Sequence, residues 1–238
     1  MRRFYAPKQN FSDSQVKLDA DETRHLRDVL RLKTGDAASV FDGEGGEFEG
    51  VISIIGKKES MLDIRQPVGP PAAESPIELT LAVSLLKGEK FDLVTQKAVE
   101  LGVAKLIPLE TARADVRAGD GDKRQQRWQK IALGATKQCG RAKLMHVAKP
   151  IRFNTFAGTA ESPVYFFTER DGTSLPADLS GQKITAVIGP EGGWEDSEIE
   201  FARKCGFELV TLGGRILRAE TAAIVIAALL QHRFGDLN

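Results

Sequence analysis

This chain is poor in the residues that hold structure together by bonds or metals. Its 238 residues include two cysteines, three histidines and only 7% aromatics. Cys139 and Cys205 form no close-spaced ligand pair, and His25, His146 and His232 are scattered. Neither a metal site nor a disulfide framework is expected, which suits a reducing cytoplasm. No run reaches the ~20 apolar residues of a membrane span, so no membrane partner is expected. The opening residues, Met1-Arg2-Arg3-Phe4-Tyr5-Ala6-Pro7-Lys8, hold no apolar export stretch. A charge excess is missing too, with 33 Lys and Arg against 33 Asp and Glu. Three common fingerprints are absent. In Gly43-Glu44-Gly45 the third glycine of a dinucleotide loop is replaced by Phe48, and the turn joins two strands. There is no phosphate-binding G-x-x-x-x-G-K-[ST] loop and no G-x-S-x-G hydrolase elbow.

What is present divides into two patterns. Residues 1 to about 68 carry short strands broken by turns. Ser39–Asp42 and Glu47–Ile52 flank Gly43–Gly46 as a hairpin, and Met61–Ile64 follows a turn at Gly56–Glu59. A short helix is predicted over Asp21–Leu30, with Leu26, Val29 and Leu30 inward. A small β-barrel of about five strands fits this pattern. Pro67 to Pro76 reads as a linker. From Ile77 onward strands alternate with helices, as in a mostly parallel sheet covered on both faces. Strands are predicted at Ile77–Leu85, Val103–Leu109, Val164–Phe167, Ile184–Ile188 and Phe207–Leu212. Helices are predicted at Phe91–Leu101, Lys123–Cys139, Ser197–Cys205 and Ala219–Gln231. Ser197 and Glu200 have capping-box spacing. The last helix is apolar nearly all round and is expected to be buried.

Charge is uneven although its sum is zero. Residues 111–152 hold eleven Lys and Arg against three Asp, a net of +8, whereas 153–238 carry a net of −5. Lys123, Arg127, Lys130 and Lys137 share one face of the long helix, and Trp128, Ile131, Ala132, Ala135 and Cys139 form an apolar stripe on another. An ordered basic stripe points to nucleic acid, against the plainer reading of a solvated helix face.

Two glycine-rich turns carry the most chemistry. Ile188-Gly189-Pro190-Glu191-Gly192-Gly193-Trp194 and Leu212-Gly213-Gly214-Arg215-Ile216-Leu217-Arg218-Ala219-Glu220-Thr221 each follow a strand and precede a helix. Open α/β sheets bind ligands at such strand ends. The glycines permit close backbone approach, and Leu212, Ile216 and Leu217 suit a flat heterocycle. Glu191 and Arg218 add one charge of each sign.

These turns resemble those of the ribosomal RNA small-subunit methyltransferase E family, a branch of the knotted SPOUT class. His25-Leu26-Arg27-Asp28-Val29-Leu30-Arg31 with Gly35-Asp36 is similar to its N-terminal motif. Lys87-Gly88-Glu89-Lys90 with Gln96–Val103, and Lys137-Gln138-Cys139-Gly140-Arg141, resemble two further segments. Trp194-Glu195-Asp196 departs mildly, since an aromatic followed by Ser or Thr is expected there.

The resemblance implies an α/β protein: a PUA-like RNA-binding β-barrel over 1–72, then a SPOUT domain over 73–238 with a mostly parallel sheet and a deep trefoil knot. It implies S-adenosylmethionine as cofactor, a homodimer, a cytoplasmic location, and methylation of N3 of a decoding-region uridine in 16S rRNA within the small ribosomal subunit. Phe167, Thr168, Ile188, Gly189, Pro190, Glu191, Gly193, Leu212, Gly213, Ile216 and Leu217 would line the cofactor site. Arg218 would hold developing negative charge, and Glu191 is the weaker candidate for general base. Arg2, Arg3, Arg31, Lys87, Arg113 and Arg141 are the candidate RNA contacts. Both cysteines read as packing, which argues against C5 methylation through a thiol nucleophile. The alternatives are a related methyltransferase acting on a ribose 2′-hydroxyl or on tRNA, and a non-enzymatic ribosome-assembly factor.

Overall fold

A computed structural model of the chain describes residues 2–117, 119–161, 163–178 and 181–237. Met1 and Asn238, the ends of the two expected domains, lie outside them. The chain forms two compact units, one of residues 1–74 and 136–144, the other of 75–135 and 145–238.

The first unit is built on a five-stranded sheet. Its strands are β1 (Arg3–Tyr5), β2 (Gln15–Leu18), β3 (Ala37–Phe41), β4 (Glu47–Ile55) and β5 (Ser60–Val68), in the order β1-β3-β4-β5-β2. The predicted hairpin is the antiparallel β3–β4 pair, with Val40 opposite Phe48. Phe4, Val16, Leu18, Leu26, Val40, Ile52 and Leu62 form its core. The predicted helix is shorter than expected: α1 spans Ala20–Arg24, and His25–Val29 continues as a π-helical turn. Asp19 caps it by accepting from the Asp21 and Glu22 N–H groups. The wider π-turn changes the facing of the residues after it, so Leu26 is buried while Val29 is 66% exposed, not inward as predicted.

Residues 136–144 belong to this unit because buried charges hold them there. The Arg3 guanidinium makes a bidentate pair with Glu47 at 2.9 and 2.8 Å. It also donates to the carbonyls of Thr136 and Arg141 at 3.0 and 2.6 Å. Arg141 pairs with Glu74 at 2.7 Å, and Lys137 donates to both Glu22 oxygens. Gly140 has φ +90°, and a Cβ there would meet Pro71 at 3.0 Å.

The second unit is the α/β part. Its elements are β6 (Glu78–Ser84), α2 (Lys90–Glu100), β7 (Lys105–Glu110), α3 (Gly121–Cys139, which ends in the first unit), β8 (His146–Val147), β9 (Ile151–Arg152), α4 (Phe153–Ala157), β10 (Val164–Phe167), β11 (Lys183–Ile188), α5 (Asp196–Lys204), β12 (Glu208–Val210) and α6 (Ala219–Phe234). The sheet runs β12-β10-β11-β6-β7-β8, with β9 also on β7, and every pairing is parallel. Strands buried on both faces explain the continuous apolar runs, such as the four buried residues of β10. Phe153, Phe156, Phe166, Val187, Trp194, Ile199 and Phe207 pack one face of the sheet.

Two details differ from the sequence reading. The α5 cap is Glu195, not Ser197: the Glu198 carboxylate accepts from the Glu195 N–H at 3.0 Å. The buried side of α6 is Ala219, Ala223, Ile226, Ala227 and Leu230, while Leu229 remains 40% exposed.

Candidate active site

The two glycine turns converge because their strands are neighbours. Phe167 at the end of β10 pairs in register with Ile188 of β11 on one side and Val210 of β12 on the other. Three parallel strands thus end side by side, and the segments leaving them enclose a cleft of about 290 Å³. Thr168 and Thr211 fasten its floor: the Thr168 N–H donates to the Val210 carbonyl, and the Thr211 hydroxyl to the Thr168 carbonyl, both at 3.0 Å.

The first turn is held by Trp194. Its indole N–H donates to the Phe167 carbonyl at 2.9 Å, and its ring packs on Phe166. The ring lies so near Gly189 that a Cβ there would come within 2.8 Å of it. Gly193 has φ +70°, in the left-handed region that favours glycine, and its N–H closes the turn on the Pro190 carbonyl. The second turn ends at Arg218, the residue that precedes α6, where backbone N–H groups and the helix dipole favour negative charge.

Of the expected cofactor residues, Phe167, Thr168, Ile188, Gly189, Pro190, Glu191, Leu212, Ile216 and Leu217 line the cleft, together with Arg218. Gly193 and Gly213 do not; they shape the turns. Six lining residues escaped the sequence reading: Glu169, Trp194, Arg215, Ala219, Ala222 and Ile226. The last three are spaced as one face of α6, a signal that was present in the sequence.

Glu191 is not free. The Lys90 ammonium donates to it at 2.9 Å. Burial pushes its carboxyl up, but the Lys90 hydrogen bond and charge and the backbone N–H groups outweigh this and hold it below its ordinary value. A carboxylate so stabilised is a weak base. Arg218 is exposed and makes no ion pair among the described residues.

The RNA candidates separate. Arg2, Arg31, Lys87 and Arg113 are exposed. Arg3 and Arg141 are 2% and 4% exposed and spend their donors on carboxylates and carbonyls. Contrary to expectation they serve the fold and not RNA, because a buried guanidinium paired with carboxylates and carbonyls has no face for phosphate. The basic stripe on α3 is also partly neutralised, by Asp92 on Arg127, Asp120 on Lys123 and Glu22 on Lys137. Among the described residues no His, Cys, Asp and Glu group could hold a metal ion, and no helix is long and apolar enough to cross a membrane.

Comparison with known proteins agrees with this layout. The RNA methyltransferase domain family matches residues 73–231, and the RNA methyltransferase PUA domain family matches 18–64. The ribosomal RNA small subunit methyltransferase E of Synechocystis is 34% identical, the match covering 95% of this chain and 76% of that protein. The Rickettsia conorii protein of that name is 31% identical over 95% of this chain and 93% of its own. The Neisseria gonorrhoeae protein of that name, solved bound to S-adenosyl methionine, is similar in structure with a TM-score of 0.90 at 33% identity, covering all of both chains. A putative methyltransferase of Legionella pneumophila, solved with the same cofactor, gives 0.89 at 32% identity over 99% of each chain. The chain, an α/β protein with a parallel sheet and a PUA domain, belongs to the ribosomal RNA small subunit methyltransferase E family.

Proposed function

We propose that this chain transfers a methyl group from S-adenosylmethionine to N3 of a decoding-region uridine in 16S rRNA. The observation that carries the reading is the cleft at three parallel strand ends, apolar on its walls, with Arg218 on its rim. The residues fit such a cofactor. Ile216 is 88% exposed at the cleft, an apolar side chain that a flat heterocycle would cover. A Cβ on Gly213 or Gly214 would meet nothing within 4 Å, so that turn leaves room for a ligand. Leu212, Ile216 and Leu217 would hold the adenine, and Glu191 would face the cofactor's cationic end.

When bound, the cofactor supplies a methyl group made electrophilic by its sulfonium. The acceptor nitrogen carries a proton, and its lone pair is conjugated into the uracil ring. Losing that proton puts negative charge on the ring oxygens. Arg218 and the N-terminus of α6 are placed to stabilise it. Glu191, held ionised by Lys90, is better suited to attract a cation than to take a proton, so bulk water accepts the proton. No cysteine lines the cleft, in keeping with a nitrogen acceptor and not C5.

The reading includes finer structure. The segments after β10 and β12, joined by Thr168 and Thr211, and α6, packed on β6, β11 and α2, would form the deep trefoil knot. The five-stranded sheet would close as a PUA-like barrel over 1–72. Leu229, with the half-buried Ile224 and Val225, gives α6 an apolar strip for a second copy in a homodimer. Arg2, Arg31, Lys87 and Arg113 would hold rRNA phosphates, in the cytoplasm and without a metal. Calorimetry with S-adenosylmethionine tests the enzyme reading at its root: micromolar binding is expected, and none would leave only an RNA-binding assembly factor.

A further inference from the structure

Two carboxylates from different segments meet one ammonium beside the cleft. Lys90 opens α2. Its Nζ lies 2.9 Å from Glu191 Oε1 and 3.7 Å from Glu220 Oε2. Glu191 belongs to the turn after β11 and lines the cleft. Glu220 lies in the first turn of α6, two residues beyond Arg218. Glu220 Oε2 is buried and accepts no hydrogen bond. A buried carboxylate oxygen in that state is costly unless a charge compensates it. Lys90 supplies that charge, at ion-pair distance.

We propose that Lys90 is a positioning residue for methyl transfer: it fixes Glu191 as a carboxylate at the cleft and ties it to the start of α6, from which Arg218 projects. This rests on the reading of the cleft as the S-adenosylmethionine site. Lys90 touches neither the cleft nor a reacting atom, so it acts through the two glutamates. Its own proton is held more firmly than usual, chiefly by the hydrogen bond to Glu191. The charged groups facing this cluster are Lys90, Glu191, Glu220 and Arg218, and the Lys87 backbone N–H also supports Glu191.

The consequence concerns protonation. Without the ammonium, two carboxylates share a partly buried site, and one of them takes up a proton at a higher pH than an isolated carboxylate does. When that proton falls on Glu191, the cleft loses its negative charge toward a cationic ligand. Below the new ionisation the affinity drops; above it the affinity is retained. Lys90 therefore makes cofactor binding insensitive to pH.

The test is calorimetry of the full chain with S-adenosylmethionine between about pH 5.5 and about pH 8.5, on wild type, Lys90→Met, Lys90→Arg and the double variant Lys90→Met/Glu220→Gln. The ratio of variant to wild-type dissociation constant removes the ligand's own titration. For Lys90→Met the ratio should rise from the alkaline to the acid end, by about twofold for a displacement of about one pKa unit and by more for a larger one. For Lys90→Arg it should stay near one. For the double variant it should be flat, because one of the two facing carboxylates is gone. A Lys90→Met ratio independent of pH overturns the proposal, since a merely structural lysine would weaken binding equally throughout. If Lys90→Met does not fold, a double variant that folds and binds with a flat ratio supports the proposal, and one that also unfolds contradicts it. Wild type that binds nothing at any pH would instead sink the cofactor reading itself.

Discussion

Arg218 reaches the cleft with no carboxylate partner among the described residues, whereas the Glu191 carboxylate is paired with the Lys90 ammonium. That difference separates their expected roles. Arg218→Ala should leave S-adenosylmethionine affinity within about threefold of wild type while kcat falls about 10²–10³-fold, the usual cost of losing one charge-stabilising donor. Calorimetry and a methyl-transfer assay read the two effects separately, and equal losses would make Arg218 a binding residue. Glu191→Gln should behave otherwise. Its folded pKa lies below the ordinary carboxylate value, so the stability it contributes is present above that value and is lost as pH falls through the folded one. The variant should melt below wild type at about pH 7, and the gap should narrow as pH falls through the carboxylate range. A melting difference independent of pH would show that the ion pair with Lys90 contributes nothing. These two residues were legible in the sequence as charges beside a glycine turn. Lys90 was legible only as part of a motif, because its partners lie 101 and 130 positions away.

At the scale of elements, the parallel strands and their helices were readable because each strand is a short apolar run closed by a turn or a glycine stop. The buried arginines were not. A guanidinium on a page looks solvated, and nothing near Arg3 in sequence reveals Glu47, 44 residues on, or the carbonyls of residues 136 and 141. The motif at 137–141 looked like part of an RNA surface for the same reason. Its residues serve instead to lock the end of α3 into the first unit, through Lys137 on Glu22, Gly140 beside Pro71 and Arg141 on Glu74. Arg3→Ala should therefore destabilise the protein by about 3–5 kcal/mol in denaturant unfolding, because it strands a buried Glu47 carboxylate. A change under about 1 kcal/mol would return Arg3 to the surface. The first glycine turn makes a matching prediction. Gly189→Ala forces a methyl group against the Trp194 ring, which cannot retreat without breaking its bond to Phe167. The cost should be about 1–3 kcal/mol, with cofactor affinity lost in proportion as the turn shifts. Unchanged affinity in that variant would mean the turn does not shape the site.

For the molecule as a whole, the zero net charge hides a divided surface, and the structure decides which cations are available. Arg2, Arg31, Lys87 and Arg113 are exposed, whereas Arg3 and Arg141 are consumed internally. Removing one of the first group should lower the salt slope of RNA binding by about 0.7–0.9, and Arg141→Ala should leave that slope unchanged. The overall architecture was legible through its change of period near residue 77. The return of residues 136–144 to the first unit was not, because no local pattern marks which core a helix end will join. The central claim is the chemistry at the cleft. It is tested most directly by incubating the purified protein with S-adenosylmethionine and small ribosomal subunits lacking the modification, then measuring the nucleosides of the digested 16S rRNA by mass spectrometry. Accumulation of 3-methyluridine, abolished by Arg218→Ala, is the predicted result. A 2′-O-methylated nucleoside in its place, or no methylated product from an enzyme that binds the cofactor, would contradict the account.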